Sequence, residues 1–177
     1  GGIDILVSNA GNATSGMMLE LDDKKLRKAF ELNFFAHKSF AVEAAKIMKL
    51  QNRGGQILFN ISKQAINPGS NMGAYGLPKA TTMFLMRQLA LELGSYKIRV
   101  NGINADRIRS GLLTDNFISE RSKNRGISEQ VYMEGNLLKQ EVEAKHVAEG
   151  FRALAQMKRT TGHILTVDGG NTAAELR

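Results

Sequence analysis

An α/β fold built on a doubly wound parallel sheet is the architecture this sequence predicts, and three observations predict it. Four short apolar runs, Ile3–Val7, Gln56–Ile61, Ile98–Asn104 and Gly162–Val167, alternate with amphipathic stretches of helical period. Strands alternating with helices of about 20 residues read as right-handed βαβ units, covered on both faces. Turn-forming residues close the runs: Ser8-Asn9-Ala10-Gly11, then Ser62, then Asp168-Gly169-Gly170. In such sheets ligands collect at the carboxyl ends of the strands, where these turns and the Ala105–Ser110 loop fall.

The first run, Ile3–Val7, is uninterruptedly apolar after Asp4 and reads as a buried strand. A polar loop leads to Asp22-Asp23, which offers an N-cap and a first-turn acid. The helix that follows is expected to run to about Gln51, because Leu26, Phe30, Phe34, His37, Ala41, Ala44 and Met48 recur at three and four. Asn33 lies on the edge of that stripe, and a buried amide needs partners. Gly54-Gly55 breaks the helix, and the second strand delivers Ser62. Pro68, Gly69 and Gly73 mark a loop. Pro78 is tolerated within a first helical turn, which places the next helix start near Tyr75. Lys79, Met83, Met86, Ala90 and Leu93 continue one face of it, so the Tyr75–Lys79 side points inward. Gly94 ends that helix. From Ala105 to about Asn136 the chain is polar, with helical pieces near Leu113–Arg121 and Ser128–Met133 that form a lid-like segment over about 105–140. Val142–Met157 is a further amphipathic helix using Val147, Phe151 and Leu154, before the last strand.

Bulk properties narrow the function. Hydrophobic residues make up 42% and charged ones 23% of the 177, which suits an ordinary globular domain. There is no cysteine, so disulfides and thiolate metal sites are excluded, and a reducing, cytoplasmic setting is expected. No apolar run is long enough to cross a bilayer. The net charge of +7 comes from scattered basic residues without stacking aromatics, so no nucleic-acid partner is expected. His37, His146 and His163 lack ligand spacing, and no metal site is expected. Arg107, Arg109, Arg121, Lys123 and Arg125 form a basic stretch that reads either as a solvated lid or, through Arg107 or Arg109, as a contact for an anionic substrate or cofactor phosphate.

Tyr75-Gly-Leu-Pro-Lys79 carries the chemistry. A phenol and an ammonium four residues apart on a helix share one face, roughly 5–6 Å apart at Cβ. Such a lysine is expected to draw the tyrosine pKa down toward neutrality, so that the phenol trades protons at physiological pH. Ser62, at the end of its strand, is placed to hold a substrate oxygen beside it.

Taken in order, Asn9-Ala10-Gly11, Asn33, Ser62, Tyr75-x-x-x-Lys79 and Asp168-Gly169-Gly170 resemble the short-chain dehydrogenase/reductase family over nearly the whole chain. The wording of Asn104–Thr114, with Tyr75-Gly-Leu-Pro-Lys79, looks like the dehydrogenase half of bifunctional rhamnulose-1-phosphate aldolase/short-chain dehydrogenase proteins. The resemblance implies a Rossmann-like fold and hydride transfer between NAD(P), with NAD favoured, and a small alcohol or carbonyl such as lactaldehyde or a sugar-derived alcohol. Tyr75 would be the acid/base, Lys79 its partner and a ribose ligand, Ser62 the oxygen holder, and Asn33 part of a water-linked proton relay. Asn9, Ala10 and Gly11 would line the adenosine side, and Ile108 and Ser110 would contact the carboxamide. Ala105-Asp106 departs from the family's Pro-Gly there. The resemblance also implies a homo-oligomer through the helices carrying Asn33 and Tyr75, and an upstream aldolase domain.

The family's glycine-rich pyrophosphate loop is not in this sequence; Gly69, Gly73 and Gly76 have the wrong spacing and precede the wrong helix. The chain is thus expected to be a partial domain over residues 1–177, truncated by roughly 70–90 residues at about 30 per βαβ unit. On its own it is expected to bind cofactor weakly and to be weakly active or inactive. The competing reading is a non-catalytic half-domain kept as an assembly module.

Overall fold

Four parallel strands, β1 (Ile5–Ser8), β2 (Gly55–Asn60), β3 (Ile98–Ala105) and β4 (Ile164–Val167), stand side by side in chain order in this computed structural model, which describes residues 1–171. Val7 pairs with Leu58, Leu58 with Asn101, and Ile103 with Leu165. The side chains alternate as a pleat requires. Ile57 and Phe59 face α2 (Ala36–Gln51) and α3 (Gly73–Leu93), packing on Ala44, Met48, Met86 and Leu93. Leu58 and Ile103 face the other way, onto Val147 and Leu154 of a later helix, Ala144–Gln156. The expected two-sided cover is therefore present, with strand limits within two residues of those read from the sequence.

Three expectations need correction. The first strand begins at Ile5 and is not fully buried: Ile5 and Val7 are 50% and 48% exposed. It pairs only with β2, so its outer edge has no neighbour among the described residues. Second, the helix expected from Asp22 to Gln51 is interrupted. Asp22 caps α1 (Asp23–Phe30) by accepting from the Lys24 N–H at 2.9 Å, and a π-helical turn over Glu31–Phe35 then precedes α2. The cause is Asn33, whose amide donates to the Ala29 carbonyl at 3.0 Å, the acceptor that its own backbone N–H would use in an α-helix. Third, α3 starts at Gly73 rather than near Tyr75, as the Tyr75 and Gly76 N–H groups both donate to Met72. Pro78 consequently lies in the second turn, where it removes the i+4 donor of the Ala74 carbonyl.

The segment after β3 is a small subdomain. α4 (Asp115–Lys123) is capped by Thr114 and α5 (Glu129–Met133) by Ser128, each hydroxyl accepting from an N–H three residues on. Leu113, Ile118, Tyr132 and Met133 give it a core of its own. α6 (Ala144–Gln156) then returns to the sheet, and its Leu154 carbonyl accepts from the buried Gln56 amide at 2.8 Å. Asn101, a residue with no evident role in the sequence, ties down the approach to β4 by donating to Thr160 and accepting from the His163 N–H.

Candidate active site

β2 and α3 bring the serine, tyrosine and lysine together. β2 ends at Asn60, and Ser62 follows in extended backbone, capping a short 3-10 turn (Lys63–Ala65) by accepting from the Gln64 N–H. That turn packs against the start of α3, where Gly76 allows the approach: a Cβ there would stand 2.9 Å from the Gln64 carbonyl oxygen. The contact sets Ser62 beside Tyr75, near enough for the serine hydroxyl to act on the phenol pKa. Tyr75 and Lys79 are both buried, on the inward face the sequence assigned them. The Lys79 ammonium lies 5.8 Å from the Tyr75 ring centre and donates to the Asn60 carbonyl at 2.8 Å.

The electrostatics differ from expectation at Tyr75. Burial raises the phenol pKa and the Ser62 hydrogen bond takes back part of that rise, so the fall toward neutrality is not present. Lys79 does not supply it, because its ammonium is turned onto Asn60. Burial instead brings the lysine itself down to about 8, close to the range in which it exchanges protons.

Asn33 is fully buried beside this group. Its amide also donates to Asn12 O at 3.0 Å, its Oδ1 accepts from Asn12 N–H, and its carbonyl accepts from Thr82 at 2.7 Å. His37, one turn on, was read only as a stripe residue. It is buried, shares a 2.6 Å hydrogen bond with Ser8, and has its pKa lowered to about 4 by burial and then by the charge of Lys79. The signal available in the sequence was its four-residue spacing from Asn33.

Ser62, Tyr75 and Lys79 border a cleft of about 680 Å³ at the carboxyl ends of the strands, with Asn33 and His37 behind its lining. Asn9, Ala10, Gly11, Ile108 and Ser110 line it, as does Arg107. Ser110 has a structural task as well, accepting from the Leu112 and Leu113 N–H groups and donating to Ile108 O. Arg109 does not line the cleft. Asp115 at 2.5 Å and Glu141 at 2.8 Å hold it in ion pairs outside the cleft lining. Among the described residues no three His, Cys, Asp or Glu side chains gather as metal ligands, and no helix is long and apolar enough to cross a membrane.

The residues present fit the nicotinamide–ribose part of a dinucleotide. A Cβ on Gly11 would come 3.1 Å from Asn33 Oδ1 and 3.8 Å from Lys79 Nζ, so glycine keeps open the approach to the buried ammonium. An ammonium beside such an opening is a ready donor to sugar hydroxyls.

Comparison with known proteins agrees with this geometry. The family model described as Enoyl-(Acyl carrier protein) reductase matches residues 1–172. "Uncharacterized oxidoreductase YuxG" of Bacillus subtilis (strain 168) is 36% identical over 185 residues, covering 100% of this chain and 27% of its own length. 7alpha-Hydroxysteroid dehydrogenase of Escherichia coli (strain K12) is 31% identical over 172 residues, covering 96% of this chain and 64% of its own. A solved 7α-hydroxysteroid dehydrogenase complexed with NADH and 7-oxo glycochenodeoxycholic acid superposes with a TM-score of 0.80 at 31% identity, over 96% of this chain and 64% of that one. The chain thus spans about a quarter of the first relative and under two thirds of the second. A parallel sheet with a serine–tyrosine–lysine group at its carboxyl edge and these matches lead to one assignment: the chain belongs to the short-chain dehydrogenase/reductase family.

Proposed function

We propose that this chain is the catalytic part of an NAD(P)-dependent oxidoreductase, with NAD favoured, acting on a small hydroxy or carbonyl compound. The observation that carries the proposal is the convergence of Ser62, Tyr75 and buried Lys79 on one cleft. When bound, the nicotinamide supplies or accepts the hydride. Ser62 and Tyr75 hold the substrate oxygen, and Tyr75 Oη gives or takes its proton. Lys79 Nζ stabilises the phenolate as it forms and binds ribose hydroxyls. Asn33 fixes the backbone behind Lys79, on the path by which protons reach it. Asn9, Ala10 and Gly11 line the cofactor's path, with Ile108 and Ser110 at the carboxamide.

The wording of Asn104–Thr114 with Tyr75-Gly-Leu-Pro-Lys79 is what supports fusion to an aldolase and a substrate such as lactaldehyde or a sugar-derived alcohol. The absence of cysteine is in keeping with a cytoplasmic setting. Exposed apolar side chains on α2 and α3 support a homo-oligomer.

The test is Tyr75→Phe in the full-length enzyme. Turnover is expected to fall by about 10²–10⁴-fold, with cofactor affinity nearly unchanged in a fluorescence titration. Turnover like that of the wild type would assign the acid/base elsewhere.

A further inference from the structure

The cleft carries a concentration of positive charge that hydride transfer does not require. Lys63, next in sequence to Ser62, lines it together with Arg107, Arg121 and Arg125, against one carboxylate, Asp106. That carboxylate is already shared. Its Oδ2 lies 3.4 Å from Lys63 Nζ and 3.3 Å from Arg107 Nε, and it accepts from Asn171 as well. Arg107 is further committed to the Tyr132 and Gly135 carbonyls.

Arg121 and Arg125 have no carboxylate within ion-pair distance among the described residues. Aromatic rings position them instead. Arg125 stands 5.1 Å from the centre of buried Tyr132, which also carries Arg107 at 4.8 Å, and Arg121 stands 5.5 Å from Phe117. A guanidinium near an aromatic ring keeps its N–H donors available for a planar or tetrahedral anion. Lys63 registers the crowding: burial lowers its pKa most, and Arg107 and Arg125 lower it further against the pull of Asp106.

Within the cleft this cluster stands apart from Asn9, Ala10 and Gly11, while Arg107 directly precedes Ile108. Asn9–Gly11 leave the sheet at β1 and Arg107 leaves it at β3, two strand spacings or about 10 Å away. Resting on the oxidoreductase reading above, we propose that the cationic cluster binds an anionic group of the substrate. The substrate class is a small hydroxy or oxo compound bearing a carboxylate or phosphate, which admits a sugar-derived alcohol that carries such a group and leaves out the uncharged lactaldehyde.

The test compares hydroxyacetone, acetoacetate and dihydroxyacetone phosphate as ketone substrates of the full-length enzyme, with the double variant Arg121→Gln/Arg125→Gln beside the wild type. One of the two anionic ketones is expected to exceed hydroxyacetone in kcat/KM by at least tenfold, and which one does so identifies the anion. The double variant is expected to lose most of that preference through KM, whereas Lys123→Gln, an exposed neighbour outside the cleft, keeps it. Equal or better use of the neutral ketone by the wild type overturns the inference and leaves the oxidoreductase reading intact. If none of the three turns over, calorimetry with inorganic phosphate and acetate decides. Saturable binding by the wild type and by Tyr75→Phe, lost in the double variant, upholds the anion site. No binding, or binding that survives the double variant, overturns it.

Discussion

His37 and Lys79 are two ionisable side chains buried within electrostatic reach of each other, and each is pushed toward its neutral form. For His37 the folded pKa of about 4 lies below the ordinary 6.5. Between those values the unfolded chain binds more protons than the folded one, so stability rises with pH across that window and is lost as pH falls through it. The slope approaches one proton, about 1.4 kcal/mol per pH unit. His37→Gln keeps a polar group near Ser8 but removes the titration. Its melting temperature is expected to fall less than that of the wild type between pH 6.5 and pH 4.5, and equal falls would place the acid sensitivity on other groups. None of this was legible in the sequence. A histidine on an apolar stripe carries no mark of a charged lysine 42 positions away. The direction of the Tyr75 shift was misread for a related reason: the four-residue spacing to Lys79 is local, whereas burial and the turn of Lys79 onto Asn60 are tertiary.

The elements holding the site were legible where their causes are local. Thr114 and Ser128 announce helix starts, and continuous apolar runs announce strands. The π-helical turn was not, because Asn33 needs Asn12, 21 residues earlier, to hold its amide across the loop. The ion pair of Arg109 was not legible either, its partner Glu141 lying 32 residues on. Gly76 shows how an element boundary sets chemistry. In an ordinary exposed helix, glycine to alanine stabilises by up to about 1 kcal/mol. Here the added Cβ meets the Gln64 backbone oxygen at 2.9 Å, and backbone cannot rotate aside as a side chain can. Gly76→Ala is therefore expected to destabilise by about 1–3 kcal/mol, the range for overpacking. It should also part Ser62 from Tyr75, lowering kcat more than it alters cofactor affinity. Thermal denaturation with steady-state kinetics checks both, and a raised melting temperature with unchanged kcat would show that α3 has room to spare.

At the scale of the whole molecule, the two-sided sheet and the serine–tyrosine–lysine group were readable because each depends on short-range pattern and chain order. What those patterns leave open is which faces are covered. Among the described residues β1 has a free edge with Ile5 and Val7 half exposed, and α3 shows a second uncovered surface. Leu77, Phe84 and Leu91 recur every seven residues along α3 and are 46%, 68% and 80% exposed, with Phe40 of α2 at 68%. Side chains seven apart on a helix lie along one line, so this is a seam rather than scattered apolar surface. In the homo-oligomer proposed above, a second copy would bring the same face to it about a two-fold axis, the commonest arrangement of soluble oligomers. Full burial of a side chain of this kind contributes about 1.5–3 kcal/mol, so charging two of them is expected to weaken association by ~100-fold or more. Phe84→Glu/Leu91→Lys in the full-length protein should therefore shift light-scattering mass to a smaller species at micromolar concentration. The far-ultraviolet circular dichroism should stay unchanged, since neither side chain belongs to the buried core. A mass equal to that of the wild type would mean that the seam on α3 is not where the copies meet.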